Sequence, residues 1–439
     1  MNTGLGLLRA HRDFRLLWCG EVAGKFGASV TSVAMPLIAV STLGAGSFQV
    51  GLLSAAAWLP WLVVGLPAGA WVDRARRRTV MLAAAGVSFL LFAAIPVARW
   101  TGHLGIGLLL SVALGAGTAS VFFQTAYSAY LPGLLAPGDR PEGNAKLHGS
   151  ASAAQLAGLG SAGLIGQTVG VVNAMFANAA TFLVSLLCLS SIRHREPRRP
   201  RAEGRGGALR AEVAEGLGLV ARDPWLRTLT LFGAASNMAL MGYQSIQVVF
   251  LVDTVGPAPG AVGGLIAAAS TGGIAGALLA RRAAHRLGTA RAMLWSELGF
   301  ALFALLIPAA AGGPRLLLYV AGGFGVAAGV VAGNVIKSSF QQRYCPPELL
   351  GRLTASAAFL NYGAIPLGAL LGGWLGAALG LRPAIWAMTA GVPLAGLILL
   401  FSPLRHHRDL PTAPPAPDAP EADAPAAAPL PGRPEEAPR

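Results

Sequence analysis

The stretch Gly69-Ala-Trp-Val-Asp73-Arg74-Ala-Arg-Arg77-Arg78 decides the fold. It lies between two apolar runs, 48–72 and 79–98, and a run of about 20 apolar residues crosses a bilayer as a helix. An arginine at the bilayer centre costs ~2.5–3.5 kcal/mol on insertion scales. Arg74, Arg76, Arg77 and Arg78 therefore stay at the membrane surface, in a short loop between two spans. A short Arg-dense loop marks the cytoplasmic side.

Outward from this hinge the same pattern repeats. Apolar runs at 16–41, 48–72, 79–98, 104–127, 149–169, 171–192, 226–252, 260–280, 290–311, 315–336, 353–378 and 382–402 alternate with short connections. The expected fold class is an all-α membrane protein of twelve transmembrane helices in two six-helix pseudo-repeats. Composition agrees: 12% of the residues are charged, against about 25% in soluble domains. With the N-terminus inside, 29 of the 33 Lys and Arg fall on the cytoplasmic side; Arg99, Arg315 and Arg382 fall outside and Lys25 within a span. This asymmetry predicts a multi-pass protein of a bacterial cytoplasmic membrane with both termini cytoplasmic.

Several function classes drop out. The net charge of +14 is spread over loops rather than gathered on one soluble face, so no nucleic-acid partner is expected. Cys19, Cys188 and Cys345 have neither disulfide nor metal-ligand spacing. No Walker-type phosphate loop appears, so ATP is not the direct energy source. No cofactor, metal or enzymatic chemistry is expected. Met1–Arg15 is short and basic, and the first apolar run reads as a retained span rather than a signal core.

The chain divides into a six-helix bundle at 1–192, a linker at 193–225, a second bundle at 226–403 and a Pro/Ala-rich tail at 404–439, expected to be disordered. Within the linker, Leu209, Val213, Leu217 and Val220 share one helical face and predict an amphipathic helix on the inner membrane surface. The halves echo each other: Tyr130-Leu-Pro-Gly-Leu-Leu parallels Tyr344-Cys-Pro-Pro-Glu-Leu-Leu, and Asp73-Arg74 is answered by His285-Arg286. The pairs Gly65/Gly69, Gly272/Gly276 and Gly368/Gly372/Gly376 have small-xxx-small spacing, read as close helix packing within a monomer.

Charges inside spans are the next signal. Glu21 and Lys25 stand four residues apart in helix 1, with the acid N-terminal, the better orientation for a pair. Either Glu21 titrates, with Lys25 tuning it or meeting an anionic group, or the two form a static internal pair; the sequence leaves both open. Asp253, at the outer end of helix 7, reads as solvated, and Glu297 in helix 9 as structural.

The hinge spacing Gly-x-x-x-Asp-Arg-x-x-Arg-Arg resembles the major facilitator superfamily. So do Phe14-Arg15-Leu-Leu-Trp18, Val33-Ala-Met-Pro-Leu37, Pro60, Phe122-Phe123, Leu131-Pro132 and Arg222-Asp-Pro-Trp-Leu-Arg227. The resemblance covers about residues 13–403, and within the superfamily it is similar to the drug–proton antiporter branch with macrolide and siderophore (enterobactin-type) exporters. It implies a gate of Gly69, Asp73, Arg74, Arg77 and Arg78, with Gly69 allowing close packing and Asp73 clamping the halves. It implies proton coupling, with Glu21 and Lys25 as candidates. It also places helices 1, 4, 7 and 10 around a substrate cavity. That puts Ser29, Ser32, Phe122, Phe123, Gln124, Thr125, Tyr127, Asn237, Tyr243, Gln244, Gln247, Asn334, Lys337 and Ser338 in or near it, with Asn361 and Tyr362 of helix 11 joining. The chain departs from the pattern at Leu108–Thr118, which carries no arginine, and at Ser161, where a proline is usual. The implied activity is proton-coupled export of a bulky amphipathic small molecule such as a drug, siderophore or natural product. Alternatives are an uptake permease, a lysolipid flippase or a non-transporting sensor on the same fold. Its partners would be the lipid bilayer, that substrate and protons.

Overall fold

The computed structural model describes residues 6–136, 138–194, 217–218, 220–345 and 347–412. The side chains of Leu66, Ala70, Asp73, Pro259, residues 347–352 and Ala355 lie outside that description. So do the expected amphipathic helix, apart from 217–218 and 220, and the tail from 413 onward.

Among the described residues, twelve main helices, some of them broken, follow a five-residue helix, Gly6–Ala10. They are α1 (Arg12–Thr42), α2 (Ser47–Val63 and Gly65–Arg74), α3 (Arg77–Trp100), α4 (Ile106–Leu134), α5 (Arg140–Val169) and α6 (Ala174–Ser190). The second set is α7 (Pro224–Val255), α8 (Pro259–Ser270 and Gly272–Leu287), α9 (Thr289–Leu306), α10 (Leu316–Tyr344), α11 (Pro347–Leu379) and α12 (Leu381–Leu400). Among the described residues, nine helices are long and apolar enough to cross a membrane, and Ser47–Val63 and Ala174–Ser190 are shorter apolar ones. Helix α5 has the length without the hydropathy; it packs against α1 and α8.

Local chemistry explains the ends. Asp223 caps α7, accepting from the amides of Trp225 (2.9 Å) and Leu226 (3.0 Å), and Pro224 follows at the position where a missing N–H costs nothing. Gly170 (φ 85°) and Gly380 (φ 90°) turn α5 into α6 and α11 into α12, in a backbone region that other residues rarely adopt. Helices α4, α5, α10 and α11 outrun the apolar stretches that announced them, reaching 134, 140, 344 and 347 rather than 127, 149, 336 and 353. Hydropathy falls where a helix leaves hydrocarbon, but its hydrogen-bond ladder continues into the polar zone. All four extensions are at the face where α1 begins and α12 ends, called here the terminal face.

Each half is a bundle: α1 on α5 and α6 and α3 on α4 and α6, answered by α7 on α11 and α12 and α8 on α10. Two of the expected small-residue rows seat these contacts. A side chain on Gly272 or Gly276 would strike the Phe324 or Ala328 carbonyl of α10, and one on Gly368 or Gly372 the Met238 or Gly242 carbonyl of α7. Gly65 and Gly69 differ: a Cβ on either meets no described atom within 4 Å.

The halves meet along α2 with α11 and α5 with α8. Their close approaches lie away from the terminal face. Gly51 faces the Ala369 carbonyl and Gly373, Ser47 faces Gly376, and a side chain on Gly163 would collide with the Gly260 backbone. Closest to the terminal face among these glycine approaches is Leu62 against Gly363, near mid-span. The bundle is therefore sealed at the far face.

Candidate substrate cavity

Below that seal, between the halves, is a cavity of about 990 Å³. Helices α1, α2, α4, α5, α7, α8, α10 and α11 contribute to its wall, so neither half encloses it alone. Its volume is at the upper end of the range of small-molecule sites.

Glu21 and Lys25 both line it and form an ion pair with Nζ 3.5 Å from Oε1. The pair is asymmetric: the Glu21 side chain is 8% exposed and that of Lys25 40%. The carboxylate is held by protein while the ammonium reaches open space. Gln124 of α4 and His148 of α5 both lie near enough to the carboxylate to act on it. A single carboxyl group is thus faced by a base, an amide and an imidazole from three helices.

The neutral lining is built to offer particular groups. Ser29 donates to the Lys25 carbonyl (2.9 Å) and Ser32 to the Ser29 carbonyl (2.8 Å). Each hydroxyl proton is therefore spent within α1, which leaves Ser32 an acceptor towards the cavity. Tyr319 donates to Gln247 Oε1 at 3.0 Å, leaving the Gln247 NH₂ as a donor. Trp58 and Trp61 of α2 meet Tyr362 of α11 at ring-centroid distances of 6.1 and 5.3 Å, an aromatic patch that bridges the halves.

Of the residues picked out from sequence, Glu21, Lys25, Ser32, Phe123, Gln124, Tyr243, Gln244, Gln247 and Tyr362 line this cavity. Tyr127 stands behind it, its ring stacked on Phe123 at 6.3 Å. Asn237, Asn334, Lys337 and Asn361 are outside the lining. Trp58, Trp61, Gln155 and Tyr319 were not picked out. The two tryptophans sit three residues apart on one helical face, a spacing that could have found them, but belonging to α2 rather than α1, α4, α7 or α10 hid them.

At the hinge, the structure gives the arginines definite work. Arg77 donates to the Ala129 carbonyl of α4 (2.7 Å), and Arg78 to the Leu189 (3.0 Å) and Ser190 (2.5 Å) carbonyls of α6. Leu189 and Ser190 are the C-terminus of α6, where unpaired carbonyls and the helix dipole both favour a cation. Arg74 is exposed, and the Asp73 side chain lies outside the described residues.

Residues 17–355 match the family model of the Major Facilitator Superfamily. The chain belongs to this superfamily. Over 411 residues this facilitator is 28% identical to the multidrug efflux pump Tap of Mycolicibacterium fortuitum, covering 91% of this chain and 97% of the pump. It is 26% identical over 419 residues to the enterobactin exporter EntS of Escherichia coli (strain K12 / MC4100 / BW2952), covering 93% and 96%. Among solved structures, a bacterial homologue of the iron transporter ferroportin in an inward-facing state superposes with a TM-score of 0.73 at 16% identity, over 89% of this chain and 98% of that one. The nucleoside transporter NupG reaches 0.67, at 12% identity, over 91% and 98%. The facilitator is thus a multi-pass membrane transporter rather than an enzyme, with drug and siderophore exporters among its sequence relatives.

Proposed function

We propose that this facilitator exports a bulky amphipathic small molecule, such as a drug, siderophore or natural product, from the bacterial cytoplasm in exchange for protons. The observation that carries the reading is the cavity itself: about 990 Å³, shared by the two halves, largely apolar and aromatic, with Glu21–Lys25 its one charged pair among the described residues. A small charged nutrient would call for several fixed charges, whereas a neutral, aromatic wall suits a lipophilic substrate. The named activities of the multidrug and enterobactin relatives support export over uptake.

The charge asymmetry makes the terminal face cytoplasmic, so the state described is open inward and sealed outward. Alternating access would break the Gly51–Gly373 and Gly163–Gly260 seals and close the cytoplasmic ends of α2 and α11. Gly69 then gains its packing partner, and Asp73 clamps the closed end, where the N-terminus of α11 favours an anion. In the inward-open state Gly69 has open space beside it, as such a cycle requires. Glu21 takes up a proton from outside and releases it inside, and Lys25 compensates its charge once the proton has left. One carboxylate then serves both proton and substrate, which is the simplest way to make exchange obligatory.

The test is accumulation of ethidium and a panel of lipophilic drugs and siderophores in efflux-deficient bacteria. It compares wild type, Asp73→Asn and Glu21→Gln, each with and without a protonophore. Lower accumulation in wild type, abolished by the protonophore and by both substitutions, is expected. Equal accumulation with and without the protein, at confirmed membrane expression, would rule out export of these compounds.

A further inference from the structure

Four helices of the second half bring polar side chains together away from the cavity lining. Glu297 is in a π-helical turn of α9, Trp295–Gly299. Such turns inside α-helices are rare and concentrate at functional sites. Helix α10 presents a row of glycines to it. Gly325 faces Phe303, Gly329 faces the Ser296 carbonyl and Phe300, and Gly333 lies against the Glu297 carboxylate so closely that any side chain there would collide with it. Lys337 is one turn further along the same face of α10. It is the charged group whose field reaches Glu297, and Glu297 is the one that reaches Lys337. The Lys337 ammonium points towards α7 at Gly233, where Asn361 also lies. Asn361 accepts from Asn237 Nδ2 (3.3 Å) and donates to the Ala357 carbonyl (2.6 Å). On the other side of α9, α12 brings Leu298 its neighbour Gly396; its one charged residue, Arg382, donates to the Ala310 carbonyl at the far face.

Packing alone asks for none of this charge. Small residues and amides hold helices together in lipid, and the glycine row with Asn237–Asn361 already supplies both. Glu297 lies within its apolar run and Lys337 at the terminal-face edge of its own; charges in such places cost stability and mark ion pathways. Among the described residues, neither Glu297 nor Lys337 is pinned by a hydrogen bond or a contact ion pair. A carboxylate held near a lysine, but not locked to it, can change protonation without breaking a bonded network.

We propose that Glu297 is a second proton-binding site of this transporter, with Lys337 the cation that compensates its deprotonated form. One O–H bond forms on uptake and breaks on release, and no other bond changes. On uptake Lys337 loses its counter-charge and is left to the Asn361 side. The proposal rests on the proton-coupled reading above for its role in transport, but the site is testable without it.

The probe is dicyclohexylcarbodiimide, which adds to carboxyl groups that are protonated in apolar surroundings, used on the full-length wild-type protein in lipid nanodiscs with adducts mapped by mass spectrometry. The expected result is an adduct on Glu297 that grows as pH falls and persists in Glu21→Gln. Labelling of Glu21 with none on Glu297 at any pH would overturn the proposal, and this needs no variant at Glu297 to fold. Infrared pH titration gives a second readout. A protonated-carboxyl band should vanish in Glu297→Gln, change its midpoint in Lys337→Met and regain it in Lys337→Arg; identical titrations for wild type and Glu297→Gln would contradict it. Ethidium transport indifferent to a pH gradient, with the Glu297 signals intact, would sink the proton-coupled reading and leave the site standing. Missing Glu297 signals with gradient-driven transport intact would do the reverse.

Discussion

The two halves share helices and packing but hold their charges differently. In the first half, Glu21 and Lys25 are one turn apart on α1, in direct contact and facing the cavity. In the second, Glu297 and Lys337 come from α9 and α10, off the cavity and without a contact bond. The hinges diverge as well. Between α2 and α3, arginine donors reach the carbonyl ends of α4 and α6. Between α8 and α9, Gly288 turns the chain, and a returning C-terminal segment holds it. There Asp409 accepts from the Thr289 amide at 2.8 Å, and the Arg408 carbonyl accepts from Ala290 at 3.1 Å. Glycine rows set helix spacing in the second half, whereas Gly65 and Gly69 of the first meet no described atom within 4 Å. Charges within a membrane bundle cost energy wherever they stand, and the two halves place theirs differently.

The seal between the halves offers the largest effect. Gly163→Leu places a side chain into the Gly260 backbone. Overpacking costs ~1–3 kcal/mol, and 1.4 kcal/mol is about tenfold, so the outward-sealed state should depopulate by roughly tenfold to a hundredfold. Transport should fall to background while the protein still reaches the membrane. A substitution that left transport unchanged would mean the seal is not part of the cycle.

Next in size is the α1 pair. Glu21→Gln leaves Lys25 without its partner, and breaking a buried pair costs ~3–5 kcal/mol, less here because Lys25 is 40% exposed. The double change Glu21→Gln/Lys25→Met should recover most of the lost thermal stability without recovering gradient-driven transport. If the double variant transported like wild type, the pair would be a structural one, and the contrast between the halves would disappear.

The hinges should give smaller and unequal effects. Arg78→Gln removes charge-assisted bonds to the Leu189 and Ser190 carbonyls. Bonds to charged groups contribute ~1.5–3 kcal/mol when buried, and this site is partly exposed, so the loss should be nearer ~1 kcal/mol. Asp409→Ala removes the cap of α9, worth about 1 kcal/mol or less. Both are read as a lowered melting temperature in detergent. Transport should suffer in the first variant and be spared in the second, because only the first hinge adjoins the proposed α2–α11 gate.

How far the sequence could be read follows the same physics. Hydropathy and loop charge located all twelve helices, because lipid enforces both. They misplaced the terminal-face ends of α4, α5, α10 and α11, since nothing in hydropathy records a helix that continues into water. Glu21 and Lys25 were legible as a charged pair inside a span, and Gln124 and Gln244 as polar groups on helices that the family resemblance turns towards a cavity; all four line the cavity of the structure. Trp58, Trp61 and Tyr319 were not legible, because an aromatic ring facing a cavity and one facing lipid look alike in a single chain. Lys337 and Asn361 were recognised as unusual but assigned to the cavity. Their meeting with Glu297 depends on the glycine row of α10 and the π-turn of α9, which only the packed structure reveals.

The most direct test of alternating access through the shared cavity is the sidedness of one residue within it. Ser32→Cys, in a protein with Cys19, Cys188 and Cys345 replaced by serine, would be labelled with a membrane-impermeant maleimide added to either side of sealed vesicles. Labelling from the cytoplasmic side at rest, and from the external side once an inward proton gradient is imposed, is expected. Labelling from one side alone under every condition would contradict it.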